Sequence, residues 1–277
     1  DQKRQLLWWR EELGSYALSE ITPPKIAEAR DKLLATPVTK SGKKRSPSTV
    51  VRYMAALSHA FTVAVNDWGW LDDSPMRKVS KPKEDRGRVR YLLDDERNRL
   101  MKAAREHSNP AIYPVVVLAL ATGMRQGEIM SLRWPDIDMK RGRAIHHETK
   151  NGERRAVPLV GMALEVIKDL SKVRHIETDL LFPASKPKRI DGEFIYQPIF
   201  IRKAWREVVS NAEIEDFRFH DLRHSAASYL AMSGATLSEI AEVLGHKTLQ
   251  MVKRYSHLSE DHLEGVVAKM NRKVFGE

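Results

Sequence analysis

The sequence contains no cysteine, which excludes disulfides, thiolate metal sites and a cysteine nucleophile. It also lacks any run of about 18 apolar residues, the length needed to cross a bilayer. The first twenty residues are charged and contain two tryptophans, so they do not resemble a secretory signal. We therefore expect no membrane partner. Because the chain begins at Asp1 rather than Met, we also expect it to be a segment of a longer protein.

Two signatures of phosphate chemistry are missing as well. No Gly-rich loop ends in Gly-Lys-Ser or Gly-Lys-Thr, so nucleotide hydrolysis is not expected. The acidic residues form no recognisable set that would hold two cations about 4 Å apart, as a metal nuclease or transposase requires. We expect neither a cofactor nor a metal.

Positive charge is abundant. The net charge is +10 and the isoelectric point is near 9.7, which favours a polyanionic partner such as DNA. Residues 1–90 hold 18 Lys and Arg against 11 Asp and Glu, whereas residues 91–277 hold 29 against 26. The N-terminal third is therefore a candidate DNA-binding region, although a merely soluble basic surface is an equal alternative. The basic residues that we expect to contact DNA are Lys43, Lys44, Arg45, Arg52, Lys81, Lys83, Arg86 and Arg88.

A chain of 277 residues favours two domains. The segment SPSTVVRYMAALSHAF begins with Ser and Pro and repeats apolar residues at spacings of three and four, which predicts a helix. Weaker helical patterns cover 4–18 and 23–35, and we expect Trp8, Trp9, Trp68 and Trp70 to pack inside this helical unit. The segment RKVSKPKEDRGRVR is basic and polar and predicts a linker. The predicted domains are 1–80, helical, and 91–277, joined by a basic linker at 81–90.

The second domain is predicted to be mainly α with a small β-sheet. The segment RAIHHETKNGERRAVPL has two short runs around Asn151-Gly152, a pair typical of a tight β-hairpin, with Lys150 at its tip. Helical patterns or start signals occur at 93–104, 113–121, 162–173, 198–212, 221–233, 236–244 and 248–254.

A few polar residues stand out by position. Arg125 follows a helix-ending Thr-Gly pair, and His220 and Arg223 lie three apart at the start of a helix, where they share a face. His246 follows a Leu-Gly terminator, and Tyr255 comes nine residues later. Taken singly, each has an ordinary interpretation as a surface arginine, a capping histidine or a half-buried tyrosine.

Taken in order, TGMRQGEI, TKNGERRAVPL, HDLRH, LGH and RYSH resemble the motifs of the tyrosine recombinases, the phage integrase family of site-specific DNA recombinases. The resemblance covers 91–277, and the helical region 1–76 is similar to the family's core-binding domain. It implies two phosphate-clamping arginines, a hairpin lysine, two motif histidines, a supporting acid and a nucleophile. These positions are Arg125 and Arg223, Lys150, His220 and His246, Glu128, and Tyr255.

Strand transfer explains why such residues are needed. Tyrosine has an ordinary pKa near ~10, so its hydroxyl needs help to lose a proton, and His220 is the candidate helper. Two guanidiniums can bind the charged phosphate oxygens through paired hydrogen bonds. The resemblance implies that Lys150 protonates the leaving 5′-oxygen, that His246 donates a hydrogen bond to the phosphate, and that Tyr255 becomes joined to the 3′-phosphate. We expect Arg154 and Arg155 to be plain phosphate or surface contacts.

The resemblance also implies partners. They are double-stranded DNA with paired core sites, further copies of the chain in a tetramer held through the C-terminal helix, and an accessory DNA-bending or directionality protein, in the cytoplasm of a bacterial cell. Integration or excision of a phage or mobile element is expected, and inversion or dimer resolution remains open.

Two other functions are possible. The segment TLSEIAEVLGHKTLQMVKRY resembles a helix-turn-helix, which would suit a non-catalytic regulator. A type IB topoisomerase-like enzyme would share the tyrosine chemistry but relax supercoils as a monomer without choosing a site.

Overall fold

The structure is a computed structural model that describes residues 2–38, 42–84, 90–147 and 155–276, without the side chains of 259–264 and 266. The chain divides into two compact units, Asp1–Arg88 and Val89–Glu277. The division lies inside the segment 81–90 that the sequence predicts as a linker. Across the described ranges, no helix combines the length and apolar character needed to cross a membrane.

The first unit is helical. Its helices are α1 (Gln2–Leu13), α2 (Pro23–Ala35) and α3 (Pro47–Asn66). The predicted start of α3 is confirmed, because the Ser46 hydroxyl accepts a hydrogen bond from the backbone N–H of Thr49 at 3.3 Å and Pro47 occupies the first turn. The apolar side chains at spacings of three and four along α3 are buried in the core of this unit. Helix α1 ends at Leu13, short of the predicted residue 18, where a glycine follows.

Two of the four tryptophans of this unit pack as predicted. Trp9 is buried, and its indole N–H donates to the backbone carbonyl of Tyr53 at 2.7 Å. Trp8 packs edge-on against Trp9, with ring centroids 4.8 Å apart. The indole hydrogen bond therefore ties α1 to α3.

The prediction that Trp68 and Trp70 also pack is wrong. Their side chains are 55% and 62% exposed, and their rings lie against each other with centroids 4.3 Å apart. Helix α3 ends before them, and Gly69, with φ of 62°, turns the chain back so that the N–H of Trp70 bonds to the carbonyl of Ala64. The backbone of this segment caps the helix, which leaves the two indoles outside the core.

The second unit is mainly α. Its helices are α4 (Asp94–Glu106), α5 (Ile112–Thr122), α6 (Gln126–Ser131), α7 (Met162–Lys172), α8 (Arg202–Asn211), α9 (Asp221–Met232), α10 (Leu237–Leu244) and α11 (Glu260–Phe275). Helix α5 is apolar on all sides and lies at the centre, where α4, α7 and α9 pack against it. Helix α8 begins at Arg202 rather than at the predicted residue 198, because Pro198 pairs with Pro183 in a β-bridge.

The sheet confirms the predicted hairpin. Strands β1 (Ile137–Asp138), β2 (Arg143–His146) and β3 (Arg155–Pro158) form an antiparallel sheet in that order, and His146 pairs with Arg155 at the end of the hairpin. The tip at 148–154, with Lys150 and Arg154, lies outside the described residues. A second hairpin, β4 (Lys188–Ile190) and β5 (Glu193–Ile195), was not predicted. Its signal was Asp191-Gly192, whose φ angles of 49° and 90° suit a tight turn.

The helix predicted at 248–254 is wrong. The chain there forms two 3₁₀ segments, Leu249–Met251 and Lys253–Ser259, with backbone bonds from Val252 to Leu249 and from Tyr255 to Val252. Both Val252 and Tyr255 are buried, and the tighter three-residue repeat brings them to the same side of the chain. The second helix of the helix-turn-helix interpretation is therefore not formed.

Candidate active site

Arg125 lies between α5 and α6, directly before the first residue of α6. Gly123 ends α5 with φ of 62°, and a Cβ built there would lie 2.4 Å from a methyl carbon of Leu244, so both the backbone and the space require glycine. Glu128 accepts hydrogen bonds from the backbone N–H of Arg125 at 2.9 Å and from its Nη1 at 2.6 Å. Burial opposes ionisation of Glu128, but these bonds and nearby guanidiniums outweigh it and lower the pKa of the carboxyl.

Arg223 is buried in the first turn of α9 and connects two other helix ends. Its Nη1 donates to the carbonyl of Gly123 and its Nη2 to the carbonyl of Leu244, each at 2.6 Å. Helix ends leave such carbonyls without partners inside the helix, so the guanidinium satisfies one from α5 and one from α10. Burial and the charge of Arg125 lower the pKa of Arg223 to about 10, and the side chain stays protonated at neutral pH.

Arg155 was expected to be a phosphate or surface contact, and the structure does not place it on the surface. Its side chain is 11% exposed, its Nη1 donates to the carbonyl of Leu244 at 2.7 Å, and the same atom lies 3.8 Å from a carboxylate oxygen of Glu128. It shares the inward face of β3 with Val157, two residues on, and this strand alternation was the signal that could have placed it inside. Arg125, Arg155 and Arg223 are called the arginine cluster below.

His246 follows α10 at the edge of the arginine cluster. Gly245 ends that helix with φ of 64°, and the N–H of His246 bonds to the carbonyl of Ala241 at 2.8 Å. Burial, followed by the charges of the arginine cluster, lowers the pKa of His246 to about 4, so the ring is neutral at pH 7. Its Nδ1 is buried and has no hydrogen-bond partner in the part of the chain that the structure describes. A neutral imidazole can still donate through one nitrogen to a phosphate oxygen.

Tyr255 is almost completely buried, with 2% of its surface exposed. It packs in a small core of side chains from α9, α10 and the 3₁₀ segments. Burial raises the pKa of its phenol, and the positive charges of Arg254 and Arg223 partly oppose this effect. The field at this position therefore favours a phenolate more than burial alone would allow.

The hydroxyl of Tyr255 contacts a histidine that the sequence analysis did not single out. It is hydrogen-bonded to Nδ1 of His224, whereas the expected helper His220 packs its ring edge-on against His224, with centroids 5.3 Å apart. Burial and the charge of Arg223 lower the pKa of His220. The signal was present in HDLRH, because two histidines four residues apart share one face of a helix.

The basic residues predicted to contact DNA in the first unit are placed as follows. Lys43, Lys44, Arg52, Lys81 and Lys83 are exposed, and Arg45 is half-buried, with its Nη1 donating to the carbonyl of Thr36 at 3.1 Å. Arg86 and Arg88 lie outside the described residues. The DNA contacts of this set stay a prediction.

Comparisons with known proteins identify the family of the chain. Residues 90–262 match the model of the phage integrase family. The chain is 38% identical over 243 residues to a shufflon-specific DNA recombinase of Escherichia coli, covering 87% of this chain and 59% of that protein. It is 32% identical over 286 residues to the integrase of Salmonella phage P22, covering 95% of this chain and 72% of that protein.

The fold is also similar to a solved structure. The integrase of transposon Tn1549, solved with a circular intermediate DNA, superposes with a TM-score of 0.70 over 91% of this chain and 87% of that one, at 17% identity. The chain spans 59%, 72% and 61% of the length of the first three curated relatives that it matches. The chain belongs to the phage integrase family, and its mainly α fold with small sheets is the fold that the sequence predicted.

Proposed function

We propose that this protein is a site-specific DNA recombinase that cuts and rejoins DNA strands through a phosphotyrosyl link at Tyr255. One observation carries the proposal. The guanidiniums of Arg125, Arg155 and Arg223 lie around one carboxylate, that of Glu128, and helix-end carbonyls hold two of them. The positive charge of Arg223 also favours ionisation of the buried phenol of Tyr255. This surplus of positive charge suits a phosphate whose oxygens gain negative charge during displacement.

The roles follow from the chemistry of each group. Arg125 and Arg223 hold the non-bridging oxygens, since a guanidinium engaged on one edge keeps N–H donors on the other. Glu128 fixes the position of Arg125, and the carbonyls of Gly123 and Leu244 fix that of Arg223. His246 donates to the same phosphate. Lys150 protonates the leaving 5′-oxygen, a role that rests on the sequence motif alone. The ester at Tyr255 keeps the energy of the broken backbone bond, so rejoining needs neither metal nor nucleotide.

The nucleophile is tested by trapping the intermediate. The DNA site is first obtained by incubating the protein with a random-sequence duplex library and recovering DNA that stays attached after denaturation. A nicked duplex bearing the selected sequence then traps the adduct. Tyr255→Phe should form none while still shifting the DNA on a gel. The matched control is Tyr229→Phe, which removes a hydroxyl bonded to the carbonyl of Leu92 in the same unit and should keep the adduct. A persisting adduct in Tyr255→Phe would refute the nucleophile.

Self-association is the second part of the proposal. Helix α11 exposes Val267, Met270 and Val274 at helical spacing, with Phe275 beside them. We expect this apolar stripe to pack on a neighbouring copy in a DNA-bound tetramer, which would couple assembly to the position of Tyr255. Deleting 262–277 should weaken recombination more than DNA binding, as measured by strand exchange and gel shift. Equal loss of both would count against docking.

The outcome of recombination has two candidates. Integration and excision of a phage or mobile element, in the bacterial cytoplasm and with an accessory directionality protein, is the first, as in the relative named an integrase. A DNA rearrangement by inversion or resolution is the second, and the relative named a shufflon-specific recombinase favours it. Sequencing the DNA beside the gene distinguishes them, because an attachment junction supports the first and repeated core-like sites support the second.

A further inference from the structure

Helix α9 brings a second histidine to the reacting atom. His220, Arg223 and His224 follow one another at its start, and only His224 contacts the hydroxyl of Tyr255 among the described residues. The rings of His224 and Tyr255 have centroids 6.0 Å apart and are tilted by 46°, so the contact runs through the ring nitrogen and the phenol oxygen rather than through stacking. His220 is one helical turn away and contacts His224.

Burial, and charged neighbours after it, keep this imidazole neutral. Burial, then His220, lowers the pKa of His224 to about 4, with Asp221 opposing the shift and Arg254 and Arg223 adding to it. His246, from the end of α10, also feels the charge of His224. At neutral pH the ring therefore has one nitrogen lone pair. In the tautomer with its proton on Nε2, Nδ1 accepts the hydrogen bond of the phenol.

We propose that His224 is the proton acceptor for Tyr255, a role that rests on the proposed function. In the forward step the phenol O–H bond breaks, its proton moves to Nδ1 of His224, and the phenol oxygen forms a bond to phosphorus. The bond from phosphorus to the 5′-oxygen breaks, and that oxygen takes a proton from the general acid. In the rejoining step both protons return, so the cycle needs no other reactant.

Arrival of DNA makes the transfer easier. Arg223, which is proposed to hold the phosphate, is one of the groups that oppose protonation of His224, after burial, His220 and Arg254. A bound phosphate brings negative charge to Arg223 and so reduces its share of the field that keeps the imidazole neutral. The base is consequently weak in the free protein and stronger in the complex. His220 keeps a positioning role, because its ring packs against His224 and limits how that ring can turn.

The test separates proton acceptance from simple positioning. Asparagine places an amide oxygen near the position of Nδ1, so His224→Asn can keep a hydrogen bond to the phenol but cannot take its proton. On the selected nicked duplex, single-turnover cleavage should slow by about 10²-fold or more, the usual contribution of a general base. The matched control is His175→Asn, which alters a histidine packed against Tyr196 far along the chain and should cleave at the wild-type rate.

Two chemical changes, one to the phenol at position 255 and one to the 5′ leaving group, identify which proton transfer depends on His224. A fluorinated tyrosine with a lower phenol pKa, introduced at position 255, should restore cleavage in His224→Asn by at least tenfold more than it changes the wild type. A 5′-thiol leaving group, which needs no proton, should restore Lys150→Ala but not His224→Asn. The rate of His224→Asn should also rise more steeply with alkaline pH than that of the wild type, because hydroxide then makes the phenolate.

The outcomes are distinct. If the wild type forms no adduct, or Tyr255→Phe forms one, the proposed function fails. If the wild type behaves as proposed but His224→Asn cleaves within threefold of it, or gains nothing from fluorinated tyrosine, the assignment to His224 is overturned. Thermal unfolding of His224→Asn near the wild-type midpoint shows that the loss is not a failure to fold.

Discussion

The two halves of the candidate site are built in different ways. The arginine cluster is held by hydrogen bonds to the carbonyl ends of α5 and α10 and to Glu128, so its side chains are fixed by several independent contacts. Residues 249–259, called the tyrosine segment here, form short 3₁₀ turns, and the Tyr255 side chain is held by packing and by one contact to His224. The arginine cluster is therefore preorganised, whereas the position of Tyr255 depends on few bonds.

The largest expected effect comes from replacing the guanidinium of Arg223, which bonds to the carbonyl ends of two helices. Lysine has one ammonium and cannot reproduce the two bonds of Arg223 while also binding phosphate. Arg223→Lys should slow single-turnover cleavage by about 10²–10³-fold, the usual loss for one transition-state donor. Arg97→Lys, which changes an exposed arginine paired with Asp94 in α4, should leave cleavage unchanged. A rate within tenfold of the wild type for Arg223→Lys would show that cleavage does not require the guanidinium.

A methyl group at Gly245 should displace Arg155. A Cβ there would lie 2.3 Å from Nη1 of Arg155, and the φ of 64° disfavours any L side chain. Gly245→Ala should lower the free energy of unfolding by about 2–4 kcal/mol in urea titrations. In an Arg155→Ala background the same change should cost less, because only the backbone strain remains. Equal costs in both backgrounds would mean that the contact with Arg155 is not what constrains the glycine.

The tyrosine segment should open without global unfolding. Val252→Ala truncates a side chain with no exposed surface and should cost about 1–3 kcal/mol. Trypsin cleavage after Lys253 and Arg254 should become about tenfold faster under native conditions, since each 1.4 kcal/mol changes an opening constant tenfold. Val157→Ala is the matched truncation in β3 and should not accelerate cleavage there. If both variants accelerate it equally, the segment opens only with the whole unit.

Acid should weaken the second unit through its buried histidines. His224 and His246 have pKa values of about 4 in the folded chain and near ~6.5 when unfolded, so between these values the unfolded chain binds more protons. The free energy of unfolding should therefore fall as pH decreases from 6.5 to 4 and be nearly constant above. The midpoint of thermal unfolding measured across this range should change less in His246→Asn than in His175→Asn. If the midpoint changes equally with pH in both variants, His246 does not cause the acid sensitivity.

Regular elements were predictable because their signals are local. Ser46 and Pro47 mark the start of α3, and Asn151-Gly152 marks a hairpin whose strands pair as expected. The motifs predicted that Arg125, Glu128, Arg223, His246 and Tyr255 belong to one site. Strand alternation could have placed Arg155 inside, but its bond to the carbonyl of Leu244 joins distant segments that spacing along the chain does not relate. The exposure of Trp68 and Trp70 follows from the backbone turn at Gly69, which helical spacing does not show.

His224 illustrates the same limit at the level of chemistry. The spacing of His220 and His224 in HDLRH shows that they share a helix face, but it does not show which of them reaches the phenol. That contact depends on the 3₁₀ segments, which bring Tyr255 to α9 from 31 residues further along the chain.

The carbonyl of Leu244 accepts from both Arg155 and Arg223. Because this single oxygen anchors two cations, any shift of the last turn of α10 breaks both bonds together. Arg223 then keeps its bond to the carbonyl of Gly123, and Arg155 keeps its approach to Glu128. The end of one short helix thus couples the positions of two of the three cations in the arginine cluster.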